Sequence, residues 1–431
     1  MGIEDTLGQT ELRFEAELSS IKRGKKMAQQ EPVITDEMIR GLKYRIEHQV
    51  PSRAETYPAT EENIVKFARG YGDLNPLYRP DLDPEYAKKT RWGGVIAPPM
   101  FMTAMQIRVR EKARELTKEE RERGRGGGLP GIHGFYSGDD IDFLQVIRPG
   151  DILIATSGQA GFVEKRSKFS RRAIHMTHET VYRNQRGELV GVARTLTIRA
   201  ERGAARQEGK YSNISIHHYT EEEWKAIEAD YDREEIRGAN PRYWEDVNVG
   251  DELTPVVKGP HTAFSTICFT VGMGGPPGFL GGVNAEAHKM RKQHPGAFSM
   301  TPYGFPDNVG RVHWDNEMAH QMGLPAYYDY GGERICNMAH LVTNWMGDDG
   351  FLRKLDGQFR LFNFYGDTTW VKGKVTNKYV RDNEHLVDIE ISCVNQRGQI
   401  HASGHATVIL PSRVHGPVVL PSKLDRPITF G

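Results

Sequence analysis

Three cysteines, Cys268, Cys336 and Cys393, are all that the 431 residues contain, and they are widely spaced and odd in number. That excludes a disulfide framework and offers no zinc-ligand spacing, so no metal is expected. Each reads as a small core residue rather than a nucleophile. An excess of one charge is equally lacking: Lys plus Arg and Asp plus Glu number 57 each, for a formal net charge of zero. A basic footprint for nucleic acid or an anionic membrane surface is therefore absent. No run of 18 apolar residues exists, which removes a membrane-spanning helix from consideration. The opening "MGIEDTLGQTELRFEAELSS" has neither a basic n-region nor an apolar h-region, and Glu4, Asp5 and Leu7 break a myristoylation pattern. The expectation is a cytoplasmic chain with no nucleic-acid partner and no membrane partner.

What is present is ordinary globular material, 38% apolar and 26% charged, at a length that suits two large domains or about three smaller ones. A repeat is visible in it. "VYRNQRGELVGVARTLTIRAER" near residue 190 resembles "ISCVNQRGQIHASGHATVILPSR" near residue 400. Both place Asn-Gln-Arg-Gly between alternating apolar runs, the signal for a hairpin turning on glycine. Upstream of each a Gly-Asp pair opens a strand-like run, at Gly150-Asp151 and Gly366-Asp367. Two copies of one strand-rich unit thus make the chain.

Between the copies, "RGAARQEGKYSN" reads as a linker, and "TEEEWKAIEADYDREEI" as a helix with Thr220 and Glu223 in a capping box. The expected division is an N-terminal extension (1–32), a first domain (33–205), a linker with a helix (206–240) and a second domain (241–431). Each copy also carries one apolar stretch of helical character. In the second, "GERICNMAHLVTNWMG" repeats Ile335, Met338, Ala339, Val342, Trp345 and Met346 at helical spacing; in the first it is "PMFMTAMQIRVREKAREL". The Gly-rich "VGMGGPPGFLGGVN" (271–284) reads as a loop inserted beside a site. One helix per copy followed by long strands is α+β, a helix wrapped by an antiparallel sheet.

The stretch "FARGYGDLNPLYRPDLDPEYAKKTRWGGVIAPPM" resembles the signature loop of the MaoC-like dehydratase and (R)-specific enoyl-CoA hydratase family. That pattern is roughly Gly-Asp-x-Asn-Pro-x-His-x-Asp, then Ala, then Ile-Ala-His-Gly-Met. The second copy has its own version, "DNVGRVHWDNEMAHQMGLPAYYDYGGE", so the resemblance spans nearly the whole chain. It implies a double hotdog, two antiparallel sheets each wrapping a central helix.

In the first copy Asp73 and Asn75 match the family's acid and amide, but Tyr78 stands where the resemblance implies the catalytic His. Ala87 is followed twelve residues later by Pro99, and Ala319 twelve residues later by Gly331. The resemblance gives that Gly position the backbone N–H that holds the thioester oxygen, and proline has none to give. The first copy is therefore expected to bind without turnover. The second copy keeps His313, Asp315 and Gly331. Its departure is Asn308, five residues before His313, with Asp307 one further back. Either a loop reshaped around Gly310 presents Asp307 as the acid, which is the favoured reading, or catalysis rests on His313 alone.

Hydration of an α,β-unsaturated thioester needs a base for water, an acid for Cα and donors at the thioester oxygen. A His with a carboxylate serves the first two, and a helix N-terminus the third. Catalytic His313, Asp307 and Gly331 are expected, with Asn308, Asp315, Tyr328, Tyr330, Asp73, Asn75 and Tyr78 around the substrate. Loop scaffolding competes with the binding reading at Asp73 and Asn75. The tyrosines of "YYDYGG" suggest an acyl pocket with polar handles, and Tyr330, replacing the family's His before Gly331, points away from a simple linear enoyl group. The basic run "EKRSKFSRR" (Lys165, Arg166, Lys168, Arg171, Arg172) suits either coenzyme A phosphates or a solvated hairpin.

The expected function is a hydro-lyase on an acyl thioester, with acyl-CoA as the small-molecule substrate. No cofactor is expected beyond coenzyme A as part of that substrate, and at least a homodimer is expected because sheet edges must be covered. Two alternatives stay open: a hotdog acyl-CoA thioesterase, and a non-catalytic acyl-binding or partner-assembly protein.

Overall fold

Thirteen short and long strands alternate with eight helices along the described residues of the computed structural model, which are 33–104, 109–111, 114–166, 172–201, 214–275 and 282–430. The N-terminal extension, the whole linker stretch 202–213, and Lys168 and Arg171 of the basic run lie outside them. Arg172 is described, and it pairs with Glu164 (2.8 Å) and Asp36 (2.7 Å) as part of a hairpin.

The first half contributes β1 (Ser52–Glu55), β2 (Val109–Arg110), β3 (His133–Phe143), β4 (Leu153–Lys165), β5 (Ala173–Asn184) and β6 (Leu189–Ala200). The second contributes β7 (Glu252–Lys258), β8 (Phe298–Met300), β9 (Pro306–Asn308), β10 (Phe351–Phe359), β11 (Thr369–Arg381), β12 (Glu384–Asn395) and β13 (Ile400–Ile409). All but β8 and β9 join one 11-stranded sheet in the order β2-β1-β4-β5-β6-β3-β10-β13-β12-β11-β7. The halves mirror each other about the antiparallel β3–β10 pair, which runs from Gly138 opposite Gln358 to Asp142 opposite Lys354. The molecule is an α+β double hotdog with its two sheets fused edge to edge.

The repeat holds down to single hydrogen bonds. In the β5–β6 turn Asn184 Oδ1 accepts the Arg186 N–H (3.0 Å), and in the β12–β13 turn Asn395 Oδ1 accepts that of Arg397 (3.1 Å). Gly187 and Gly398 follow at φ +80° and +74°, a backbone that disfavours any side chain. The two Gly-Asp motifs receive these turns: Arg397 pairs with Asp367 at 2.6 Å, and Arg186 reaches Asp151 at 3.5 Å.

The eight helices are α1 (Asp36–His48), α2 (Glu61–Gly70), α3 (Lys118–Arg123), α4 (Glu221–Tyr231), α5 (Ala263–Gly272), α6 (Ala285–Gln293), α7 (Asn316–Gln321) and α8 (Gly331–Met346). The capping box of Thr220 and Glu223 opens α4 as expected. The Gly-rich stretch begins as the end of α5, and residues 276–281 of it lie outside the described set. α8 is the central helix, with all thirteen residues from Arg334 to Met346 buried. Each fully buried Ile, Leu or Met there contributes about 1.5–3 kcal/mol relative to exposure.

The first half departs from expectation. Pro99–Thr103 forms only a short 3-10 turn, and Val109–Arg110 is already strand, pairing with Ala54–Glu55 of β1. Among the described residues of this stretch no α-helix is formed. Val109 is β-branched, a residue type that favours the strand it enters here. Among the described residues α8 is the one long central helix.

The C-terminal segment also crosses the expected boundary. Arg426 pairs with Asp140 of β3 at 2.6 Å, and the Thr429 N–H donates to Glu179 of β5 at 2.6 Å. Residues after β13 thus tie the second half to the first.

α2 and α5 occupy equivalent places and cross where Gly70 meets Gly272. A Cβ on Gly272 would sit 2.8 Å from the Lys66 carbonyl oxygen and 2.9 Å from Gly70 Cα, both backbone atoms that cannot swing aside. Gly272→Ala is expected to lower the urea-unfolding free energy by about 1–3 kcal/mol. Gly296→Ala, which meets nothing within 4 Å, should stay within about 0.5 kcal/mol of the parent.

Candidate functional site

Two related turns and the start of one helix define the candidate site. In the first half the chain leaves α2 and makes successive Asx turns. Asp73 Oδ1 accepts the Asn75 N–H (2.9 Å), and Asn75 Oδ1 accepts the Leu77 N–H (2.9 Å). Tyr71 Oη donates to Asp73 Oδ2 at 3.0 Å. Asn75 Nδ2 then reaches Asp348, just past α8, at 2.9 Å, and Tyr86 Oη takes the other Asp348 oxygen at 2.7 Å. Trp92 Nε1 donates to the Asp348 carbonyl at 2.8 Å.

Asp73 is fully buried and Asn75 nearly so, and their polar atoms are engaged within the protein. The loop is a hydrogen-bonded clamp between the halves, the scaffolding role weighed above against substrate binding. Tyr78, also buried, lines a separate cavity of about 30 Å³ beside Trp92 and Met346.

In the second half Asn308 comes 36 positions after Gly272, where Asp73 comes three after Gly70. The added chain includes α6 and the β8–β9 hairpin. Asn308 Oδ1 accepts the Gly310 N–H at 2.7 Å, the turn that Asp73 makes, and His313 follows five residues later as Tyr78 follows Asp73. Asn308 therefore takes the place expected for Asp307. The Asp307 carboxylate accepts its neighbour's N–H at 2.7 Å, and among the described residues no ion pair or hydrogen bond joins it to His313. Asp315 caps α7 by accepting the Glu317 N–H (2.8 Å) and pairs with Arg311 (3.3 Å), a local duty rather than a substrate contact.

His313 Nδ1 lies 2.8 Å from the Tyr328 carbonyl oxygen. A carbonyl can only accept, so Nδ1 carries the proton and Nε2 keeps its lone pair. The ring stacks on Tyr330 at 3.9 Å and meets Tyr328 edge-on at 4.7 Å. Burial, partly offset by the Tyr328 carbonyl, pushes the His313 pKa down to about 4, leaving it neutral at pH 7. Tyr330 is the N-cap residue of α8, and its hydroxyl has no hydrogen-bond partner. Gly331 opens the helix, and a Cβ there would collide with the ring of Tyr136 from β3 of the other half. Imidazole, helix N-terminus and a first-half strand are thus brought together by consecutive residues.

A cavity of about 370 Å³ lies beside this arrangement, between β7, α5, the end of α2 and one face of α8. None of the ten expected site residues lines it. Glu333, Asn337, Lys258, His261, Arg334 and His401 do, and the exposed side chains of Leu74 and Phe264 stand at its rim. Burial, reinforced by the Asp329 charge, pushes the Glu333 carboxyl up to about 8. Lys258 Nζ donates to the Tyr71 carbonyl (2.6 Å) and to His340 Nδ1 (2.7 Å), with burial lowering its pKa. Arg334 and Asp329 form a bidentate pair. The overlooked signal was a polar stripe on an apolar helix: Glu333, Asn337, His340 and Asn344 recur at i, i+4, i+7 and i+11.

Comparison with known proteins agrees with this class of fold. Residues 48–192 match the family model described as FAS1-like, dehydratase domain region. A UPF0336 protein of Streptomyces avermitilis is 30% identical over 103 residues, which cover 24% of this chain and 61% of that protein's length. A MaoC-like dehydratase structure superposes with a TM-score of 0.54 at 15% identity, covering 85% of this chain and 99% of its own. A MaoC domain protein from Chloroflexus aurantiacus does so at 0.51 and 14%, covering 85% and 97%. At 15% and 14% identity these structures show the fold that the chain shares with them, and the dehydratase-region match is confined to residues 48–192.

Because the Glu333 pKa is raised from 4.5 to about 8, the folded state holds a proton that the unfolded chain releases. Stability contributed by that proton is complete below about pH 4.5 and is lost as pH rises towards 8. Urea midpoints at about pH 5 and 8.5 should show this loss in the parent, on the order of a few kcal/mol, and a clearly smaller loss in Glu333→Gln.

Proposed function

We propose that this protein adds or removes water at the α,β position of an acyl thioester, with acyl-CoA as substrate and coenzyme A entering only as part of it. His313 transfers the proton through Nε2, and the Gly331 N–H at the start of α8 receives the thioester oxygen. The observation that carries the reading is the stack of His313 on Tyr330, the residue that immediately precedes Gly331. It sets a neutral imidazole with a fixed tautomer beside a helix N-terminus.

The chemistry follows from those two groups. As water adds to Cβ, negative charge grows on the thioester oxygen, where backbone donors and the helix dipole stabilise it. A neutral imidazole accepts the proton of water and returns one to Cα. Asn308 cannot accept a proton, and Asp307 is not joined to His313, so a single imidazole carries both transfers in this scheme. Asp307→Asn is accordingly expected to retain activity within a few-fold.

The test is loss of enoyl-thioester absorbance over a panel of enoyl-CoA substrates. His313→Ala should lower kcat/KM by about 10²–10⁴ while leaving the unfolding midpoint close to the parent's. With the parent, kcat/KM should stay flat around neutral pH and fall only as pH drops towards about 4, where His313 takes up a proton. Free thiol appearing in place of hydrated product would overturn the reading in favour of thioester hydrolysis.

A further inference from the structure

The cavity along α8 contains chemistry that the hydration scheme does not use. Three buried atoms on its wall lack any hydrogen-bond partner: Glu333 Oε2, Asn337 Oδ1 and His401 Nδ1. Asn337 is 7% exposed and His401 1%, so solvent outside the cavity does not satisfy them. The His401 tautomer follows from its neighbours. Thr369 Oγ1 donates to Asn363 at 3.2 Å, so His401 Nε2 must donate to Thr369 at 2.9 Å, and Nδ1 is left as a bare acceptor. An unmet buried polar atom costs about 1–3 kcal/mol; Asn337 Oδ1 and His401 Nδ1 are acceptors that await donors, while the Glu333 carboxyl, which holds its proton at neutral pH, has an O–H of its own to give.

One donor faces them. Lys258 has three N–H bonds and uses two, on the Tyr71 carbonyl and His340, so the third is available to a carbonyl or carboxylate oxygen. The complement to this wall is a molecule with hydroxyl donors at one end and an acidic or carbonyl oxygen at the other. At about 370 Å³ the cavity has the size of a small-molecule site, and Leu74 and Phe264 mark its open rim.

We propose that this cavity is a second binding site, distinct from the thioester site, that takes a small free hydroxy acid. The carboxylate meets Lys258, and the hydroxyls donate to Asn337 and His401 with Glu333 completing the ring of polar groups. The assignment does not depend on the hydration scheme.

Titration calorimetry with glycerate and 3-hydroxybutyrate, against propionate and butyrate as controls, tests it. The full-length protein should bind the hydroxylated acids at least tenfold more tightly than their plain counterparts, because a site built to receive hydroxyls rejects analogues that lack them. Asn337→Leu should abolish that preference, and His313→Ala should leave it intact. Equal binding of plain and hydroxylated acids, or no binding of either up to about 20 mM, would overturn the proposal. So would binding lost in His313→Ala, which would place the ligand in the thioester site. The ligand comparison on the unmodified protein decides the matter even where Asn337→Leu fails to fold.

Discussion

The carboxylate of Asp348 is the point on which the two halves depend. It ends the central helix, and it receives Asn75 on one oxygen and Tyr86 on the other while its carbonyl receives Trp92. A buried carboxylate left unpaired is strongly unfavourable, and one held by neutral donors is tolerated. The first half supplies all three donors, so the second half's helix is anchored by the first half's signature loop. The fused β3–β10 pair and the returning C-terminal segment add to the same joint.

With only one central helix formed among the described residues, that helix meets neighbours on every side. Its apolar positions fill the sheet, and its polar stripe faces α5, β7 and the first-half loop. His340 stands between Lys258 and Asp73, the latter 3.7 Å away. The cavity is the part of this seam that side chains do not fill. Fold and chemistry are therefore linked: Tyr136 of the first half packs against Gly331 at the start of α8, and the polar seam leaves room for a small molecule.

Much of this was legible in the sequence. The Asn-Gln-Arg-Gly turns and Gly-Asp pairs located both hairpins because local turn chemistry alone decides them. The apolar spacing from Ile335 to Met346 located α8 for the same reason. The Met-rich run of the first half suggests a helix, but its described ends are a 3-10 turn at Pro99–Thr103 and a strand at Val109–Arg110, which local apolar spacing does not foretell. Charge alone points to Asp307 over its neighbour Asn308, and only the Asx bond to Gly310 separates the two. The cavity was missed because its residues come from β7, α5, α8 and β13, which sequence spacing does not bring together.

The central claim is that the loop resembling the family's signature holds the molecule together while the less regular second copy carries the chemistry. Asn75→Ala tests this most directly, with unfolding free energy and enoyl-CoA hydration measured on the same preparation. The account predicts a stability loss of about 1.5–3 kcal/mol, the range for a hydrogen bond to a charged group, and a kcat per folded molecule within about twofold of the parent. A kcat lower by a hundredfold at unchanged stability would contradict it, and would return the catalytic role to the first copy.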